Sequence, residues 1–363
     1  MTTAPTRPRR ERLDPTIFDL PVEKMRDGYY SDAYFNHTRS ALLYDGRRPR
    51  VVMQVFQRKQ AMLGGLDEAV AILELCSDDW AGLTVHALRD GDRVDPWETV
   101  MTIEGDYTTF AHLETVVLGT LARRTLIASN TARVVDAANG KPIIFMPARH
   151  DHHRVQTGDG YAAFVAGAVL GAEIGVTSDA QASWWGGRGV GTVPHSLIAA
   201  YGGNTVLAAT KFIENIDSDI NVTVLVDFEN DSVGTALEVA RALGPQLWGV
   251  RLDTSGQLVD RSLWGEMGDF DPRGVNEQLV RKVRDALDRD GFEHVKIVVS
   301  GGFTAERIRA FEERGVPVDS YGVGSALIRG ENDFTADIVM TDGRPSAKVG
   351  RRYRENPRLE LVE

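Results

Sequence analysis

Cysteine is nearly absent from this 363-residue chain, in which Cys76 stands alone. That excludes an intramolecular disulfide and any cysteine-rich zinc site. Cys76 closes the apolar stretch Ala-Ile-Leu-Glu-Leu-Cys at 71–76 and reads as a buried structural thiol. Long hydrophobic runs are missing too: none approaches the roughly 20 residues of a membrane span, and the N-terminus has no signal-peptide core. A cytoplasmic protein without a membrane partner is expected. Positive charge is in deficit, with 41 Lys and Arg against 52 Asp and Glu and a net charge of −11. This argues against broad electrostatic attraction to nucleic acid or anionic lipid. Any anionic ligand must therefore be held by local positive charge. Internal repeats and low-complexity segments are also lacking.

What the chain does have is an ordinary apolar fraction of 42%, enough at this length for a large core and two domains. Residues 1–14 are polar, basic and proline-containing, and read as a mobile tail. From 15 to 135, short strands (Val51–Phe56, Val100–Glu104) mix with helical sequence (Leu66–Leu75) in a first α/β domain. Residues 113–137 form a long helix or a broken pair leading into the second domain. From 136 to 326 the rhythm is strand, loop and helix in repetition. Candidate strands are Pro142–Met146, Val222–Val226, Leu247–Leu252, Val295–Ser300 and Asp319–Gly322. Helical stretches lie at Gly160–Leu170, His195–Ala200, Val233–Leu243, Asn276–Arg289 and Thr304–Glu313. Short apolar strands alternating with helices imply a parallel sheet covered on both faces, here an α/β barrel. A closing strand pair, Ala336–Thr341 and Ser346–Val349 joined by Asp-Gly-Arg, lets residues 327–363 return to the first domain.

Two glycine loops, Val-Ser-Gly-Gly-Phe-Thr at 299–304 and Tyr-Gly-Val-Gly-Ser at 321–325, each follow an apolar run and precede helical sequence. Glycine lets backbone N–H groups approach an anion closely, and a following helix adds the positive end of its dipole. A tight turn would account for either loop alone. The pair at βα spacing favours a phosphate cradle made by Ser300, Gly301, Gly302, Gly322, Gly324 and Ser325.

Other chemistry-bearing residues cluster at predicted strand ends. Arg251 and Asp253 alternate across Leu252 in Gly-Val-Arg-Leu-Asp-Thr-Ser-Gly, so both point one way. The arginine suits a carboxylate and the aspartate a hydroxyl or a metal, with Thr254 and Ser255 beside them; a structural Arg–Asp pair is the alternative. Asp227 ends Val-Leu-Val-Asp-Phe as a metal- or ribose-binding carboxylate, or as a helix cap. His195, in Gly-Val-Gly-Thr-Val-Pro-His-Ser, falls in the first turn of a helix, where it suits an acid, a nucleophile or a phosphate ligand. The run Ala-Arg-His-Asp-His-His-Arg at 148–154 lacks the i, i+4 spacing of a helical zinc site. It reads as a basic loop meeting an anion through Arg149, with His150 or Arg154. In the first domain, Tyr34 and Phe35 could stack on a flat ring and Arg39 reach a phosphate, although core aromatics with a surface arginine explain that segment equally simply.

Taken together, Ser-Asp-Ala-Tyr-Phe at 31–35, Leu-Glu-Thr-Val-Val-Leu at 113–118, Gly-Val-Thr-Ser-Asp at 175–179, Gly-Thr-Val-Pro-His-Ser at 191–196, Gly-Val-Arg-Leu-Asp-Thr at 249–254 and the glycine loops resemble the nicotinate phosphoribosyltransferase family, in the family's order. The resemblance implies a type II phosphoribosyltransferase fold, an α/β sandwich followed by an irregular α/β barrel, and a homodimer whose sites combine both subunits. It implies transfer of phosphoribosyl from 5-phosphoribosyl-1-diphosphate to nicotinate, assisted by ATP through a phosphorylated histidine matching His195, with Mg²⁺. Arg251 matches the arginine facing the pyridine carboxylate. Asp253, with Asp227, faces ribose or Mg²⁺, the glycine loops hold the 5′-phosphate, and Tyr34 stacks on the pyridine of the neighbouring subunit. Thr177 and Ser178 fall in the substrate-binding motif. Relatives preferring nicotinamide carry an aspartate at the position of Ser178, so the implied base is nicotinate. Asp179 stands where the family has an amide, and Thr-Ser-Gly-Gln replaces its usual Asp-Ser-Gly-Asp. Quinolinate phosphoribosyltransferase shares the fold but calls for a denser arginine and lysine pocket. A non-catalytic nucleotide sensor and a phosphosugar isomerase or aldolase barrel are the readings from other classes.

Overall fold

A computed structural model describes residues 11–215, 220–268 and 270–363. The chain divides into two compact units, one formed by the chain up to Ser129 together with Gly330–Glu363, the other by Asn130–Arg329.

The first unit is built on a six-stranded antiparallel sheet in the order Arg344–Pro345, Thr335–Thr341, Arg50–Phe56, Thr99–Asp106, Thr84–Ala87, Glu360–Leu361. Val51, Met53 and Val55 alternate along the central strand and are buried, as the period of two requires for one face on a core. The helix Leu66–Cys76 belongs to the same core through Leu66, Val70 and Leu73, with Cys76 fully buried. The C-terminal segment enters the sheet as an antiparallel partner of Arg50–Phe56. Its hairpin differs from the sequence expectation: the return strand is Arg344–Pro345, not Ser346–Val349. Asp342 and Gly343 both have positive φ, 47° and 74°, which closes a tight two-residue turn and pairs Thr341 with Arg344 at once. Pro345 then has no N–H to extend the ladder.

Residues 1–10 of the expected tail lie outside the described residues, but Arg12 and Leu13 are not loose. Arg12 donates to Asp67 at 2.9 Å and to the Leu88 carbonyl at 2.9 Å, and the Leu13 N–H donates to Asp67 at 3.2 Å. A buried carboxylate with a guanidinium partner fixes this end of the chain.

The segment read as a helix or a broken pair is one helix, Glu114–Ala137. Burial, with Asp337 and Asp32 nearby, pushes the Glu114 carboxyl up to about 8 from 4.5. Between those values the folded state holds a proton that the unfolded state has released, so stability falls as pH rises through this window. Glu114→Gln removes the titration. Its melting temperature should match the wild type near pH 4 and exceed it by about 3 °C at pH 8.5, measured by calorimetry. An equal shift at both pH values would overturn this reading.

The second unit carries a six-stranded parallel sheet in the order Ile174–Val176, Ile143–Phe145, Ser320–Val323, Lys296–Val299, Gly249–Leu252, Thr223–Leu225. Its two edges meet through one short stretch. Val190 N–H donates to the Val176 carbonyl at 2.6 Å, while Val193 N–H donates to the Thr223 carbonyl at 2.8 Å and the Val193 carbonyl accepts from Leu225 N–H at 3.3 Å. The sheet therefore closes as an α/β barrel. Five of its strands and the helices Gln156–Leu170, His195–Ala200, Ser232–Leu243, Glu277–Arg289 and Ala305–Glu313 follow the expected rhythm. The sequence reading missed the strand Ile174–Val176 and the helix Thr205–Asn215.

Candidate active site

Loops leaving the C-terminal ends of the barrel strands surround a cleft of about 380 Å³. After Ile143–Phe145 come Met146, Arg149 and His150; after Ile174–Val176, Thr177; after Gly249–Leu252, Asp253; and after the last two strands, the glycine loops. Active sites of such barrels lie at this end because the loops there vary without disturbing the strand ladder.

One side of the cleft is made by backbone. Among the described residues, the N–H groups of Gly301, Gly302 and Phe303, and those of Gly324, Ser325 and Ala326, donate to no protein group. All six residues line the cleft. Exposed unpaired N–H groups beside a helix start form an anion site. Gly301 and Gly302 have φ of 87° and 77°, a left-handed pair that side-chain-bearing residues rarely adopt. Below them the barrel is tight: a Cβ on Gly322 would come within 2.8 Å of Met146 Sδ and 3.1 Å of Ser300 Cβ.

Arg251 is fixed from three sides. Its Nε donates to Ser300 Oγ at 2.8 Å, Nη2 pairs with Asp253 at 3.3 Å, and Nη1 donates to Thr192 Oγ1 at 3.4 Å. Ser300 Oγ in turn donates to Asp253 at 2.7 Å. Arg251 also borders a second cavity of about 610 Å³, lined by inner barrel residues such as Ile144, Gly175 and Thr223. Arg251 is thus both partner of Asp253 and a wall of the cleft.

His195 and Asp227, isolated candidates in the sequence, meet. His195 Nε2 lies 3.0 Å from Asp227 Oδ1, with the imidazole 43% exposed and the carboxylate 6%. Burial pushes the Asp227 carboxyl above the usual range, Asp253 adds to the rise, and the hydrogen bond from His195 opposes it. With Asp227 accepting from Nε2–H, the neutral imidazole keeps its lone pair on Nδ1. The pair does not line the main cleft, although Pro194, which caps the His195 helix, borders the second cavity.

Several expected residues sit elsewhere. Ser178 caps the helix Asp179–Ala182 and donates to Gln156 at 2.9 Å, so its hydroxyl serves the loop. Asp179 accepts from Gly189 N–H at 2.8 Å, which gives the acid a structural role where the family has an amide. Thr254 is buried, with its hydroxyl unpartnered among the described residues, and lines no part of the cleft. Arg154 is exposed outside it as well. Tyr34, Phe35 and Arg39 belong to the first unit: Tyr34 packs on Phe35 at 4.3 Å between ring centroids, and Arg39 pairs with Asp78. Phe35 and Arg39 are half-buried while Tyr34 stays exposed, so the core-aromatic alternative describes only part of the segment. Arg329, Phe303 and Thr304 line the cleft without having been singled out. Arg329 lies two residues beyond the short turn Ser325–Leu327 and carries no strand-exit pattern of the kind that marks Asp253.

Among the described residues no group of three or more His, Cys, Asp or Glu is placed to hold a metal. No helix among them is long and apolar enough to cross a membrane.

An α/β barrel closed by parallel strands, fed by an antiparallel α/β sandwich and carrying paired glycine loops over a basic cleft, is the architecture of a type II phosphoribosyltransferase. Comparison with known proteins agrees. Residues 32–125 match the family model "Quinolinate phosphoribosyl transferase, N-terminal domain". The chain is 34% identical over 282 residues to a nicotinate phosphoribosyltransferase of Mycobacterium tuberculosis, a match covering 75% of this chain and 57% of that protein. It thus spans little more than half the length of this curated relative. A nicotinate-nucleotide pyrophosphorylase from Pyrococcus furiosus superposes with a TM-score of 0.78 at 31% identity, covering 94% of this chain and 85% of the other. Human nicotinic acid phosphoribosyltransferase shares the fold, with a TM-score of 0.62 at 18% identity over 87% of this chain and 75% of its own. The chain belongs to the nicotinate phosphoribosyltransferase family.

Proposed function

We propose that the protein transfers phosphoribosyl from 5-phosphoribosyl-1-diphosphate to nicotinate, giving nicotinate mononucleotide and diphosphate in NAD biosynthesis. The observation that carries this is the cleft's polarity: two rows of unpaired backbone N–H groups on one side and the fixed guanidinium of Arg251 on another. The N–H rows suit a 5′-phosphate and Arg251 a pyridine carboxylate. The pyridine nitrogen forms its bond to C1′ of the ribose as the C1′–O bond breaks, and that electron pair leaves with the diphosphate. Asp253 faces the ribose, where its charge favours the positive character that develops at C1′.

Asp227 and Asp253 are the carboxylates for Mg²⁺. With His195 and Arg251 already paired to them, they form no all-protein cage, which fits an ion that takes one or two carboxylates and completes its shell with phosphate oxygens and water. When bound, it neutralises the leaving diphosphate. ATP couples through His195: the Nδ1 lone pair takes the γ-phosphoryl group as its bond to the bridging oxygen breaks and ADP leaves, while Asp227 holds the ring. The protein acts as a homodimer: Tyr34 is 60% exposed on the helix Ala33–Tyr44, which buries none of its residues, and it stacks on the pyridine of the other subunit.

A second reading, quinolinate as the base, is favoured by Arg149 and Arg329, which line the cleft in addition to Arg251 and could hold a second carboxylate. Purified protein with 5-phosphoribosyl-1-diphosphate and Mg²⁺, with and without ATP, should be offered nicotinate, quinolinate and nicotinamide in parallel. Nicotinate mononucleotide formed from nicotinate, with faster turnover when ATP is present, is the expected result. Product from quinolinate or nicotinamide alone would overturn the assignment.

A further inference from the structure

The glycine loop at 301–302 is held in its left-handed conformation by a side chain from the following helix. Arg307 Nη1 donates to the Gly301 carbonyl at 2.9 Å, and Nη2 donates to the Val275 carbonyl. Its guanidinium lies over the Phe303 ring, 4.2 Å from the centroid, with Phe311 5.9 Å away. Phe303 is itself buried against Phe311 and Tyr321. Among the described residues no carboxylate pairs with Arg307, so its charge is compensated only by carbonyl dipoles.

The Gly301 carbonyl and the Gly302 N–H belong to one peptide plane and point in opposite directions. Anchoring the carbonyl on Arg307 therefore aims that N–H away from the helix, and Gly302 lines the cleft. The anchor also adds charge: Arg307 Nη1 is 4.0 Å from where a Gly302 Cβ would lie. A flexible Gly-Gly pair would otherwise sample many conformations and lose that freedom only when ligand binds.

We propose that Arg307 is a positioning residue for phosphate binding, which fixes the Gly301–Gly302 peptide so that its N–H faces the incoming phosphate and adds behind it a positive charge that no carboxylate among the described residues neutralises. This rests on the phosphoribosyl reading of the cleft. Because Arg307 touches the loop and not the pyridine end, its loss separates the two substrates.

The test uses full-length wild type, Arg307→Gln and Arg307→Lys, with ribose 5-phosphate binding measured by calorimetry and steady-state kinetics measured in parallel. Losing a charge-assisted hydrogen bond and the ordering it provides should weaken ribose 5-phosphate binding, and raise KM for 5-phosphoribosyl-1-diphosphate, by about 10–50-fold in Arg307→Gln. Meanwhile kcat and the nicotinate KM at saturating donor should stay within about threefold, a split that general loosening of the fold would not give. Arg307→Lys keeps the charge without the two-pronged grip and should fall between. If Arg307→Gln does not fold, Arg307→Lys decides alone: at least threefold weaker ribose 5-phosphate binding supports the proposal, and wild-type affinity overturns it. Wild type and both variants binding equally would sink the proposal while leaving the functional reading intact. A wild type that does not bind ribose 5-phosphate would instead remove the functional reading and this inference with it.

Discussion

Replacing Arg251 with methionine is expected to lower kcat/KM for nicotinate by about 10²–10³-fold, the scale of removing one partner from a partly buried charged network. Methionine keeps much of the side-chain volume and loses all the donors. Three partners, Ser300, Asp253 and Thr192, hold the guanidinium in one orientation, so a carboxylate meets donors already in place. Removing the guanidinium also leaves Asp253 without its cationic partner at the ribose side. Arg251→Lys should recover little, since a point charge cannot serve Ser300, Asp253 and a carboxylate together. The informative comparison is nicotinate against nicotinamide, which lacks the carboxylate. Wild type should discriminate between them and Arg251→Met should not. A loss in kcat/KM below about tenfold, or discrimination that survives, would make Arg251 a structural partner of Asp253 only.

His195→Ala should reduce ATP stimulation of nucleotide formation from the wild-type value to about onefold, and coupled ATP hydrolysis by about 10³-fold, the range typical of losing a covalent nucleophile. The ATP-independent rate and ribose 5-phosphate binding should survive, since the imidazole lines no part of the cleft that holds the glycine loops. Asp227→Asn tests the geometry. An amide can still meet the imidazole but no longer favours the Nε2–H tautomer or the charged ring, so coupling should fall while remaining measurable. Product and ADP measured in the same reaction report the ratio directly. Unchanged ATP dependence in His195→Ala would take the histidine out of the mechanism.

Strand ends were the legible part of this sequence. Val-Leu-Val-Asp, Val-Arg-Leu-Asp and Val-Val-Ser-Gly-Gly each run apolar into a polar or glycine exit, and each marks a strand whose next residues reach the barrel mouth. The strand Ile174–Val176 escaped because it is three residues long with a glycine at its centre, which gives neither an apolar run nor an alternation. The return strand of the C-terminal hairpin was misplaced because turn length, not apolar pattern, sets the register there. Within the site, Arg251, Asp253 and the glycine loops could be read from local pattern. The meeting of His195 with Asp227, across 32 residues, could not, since the barrel's curvature brings their strand exits together and sequence carries no curvature. Thr254 follows Asp253 yet points into the core, the ordinary result of a chain alternating past its strand end. Arg307 carries no local signal that sets it apart from the other arginines of the chain. Its role depends on a carbonyl six residues earlier, turned by two glycines.

The barrel is also not equally strong all the way round. Six strands are zipped by continuous ladders, whereas the stretch that completes the ring is held at Val190 and Val193, and His195 begins two residues beyond. The ring therefore has a seam, and the His195 imidazole hangs beside it. Under load the ring would part at this fastening before any full ladder opened, so the barrel's local stability is lowest where residues 190–193 complete it.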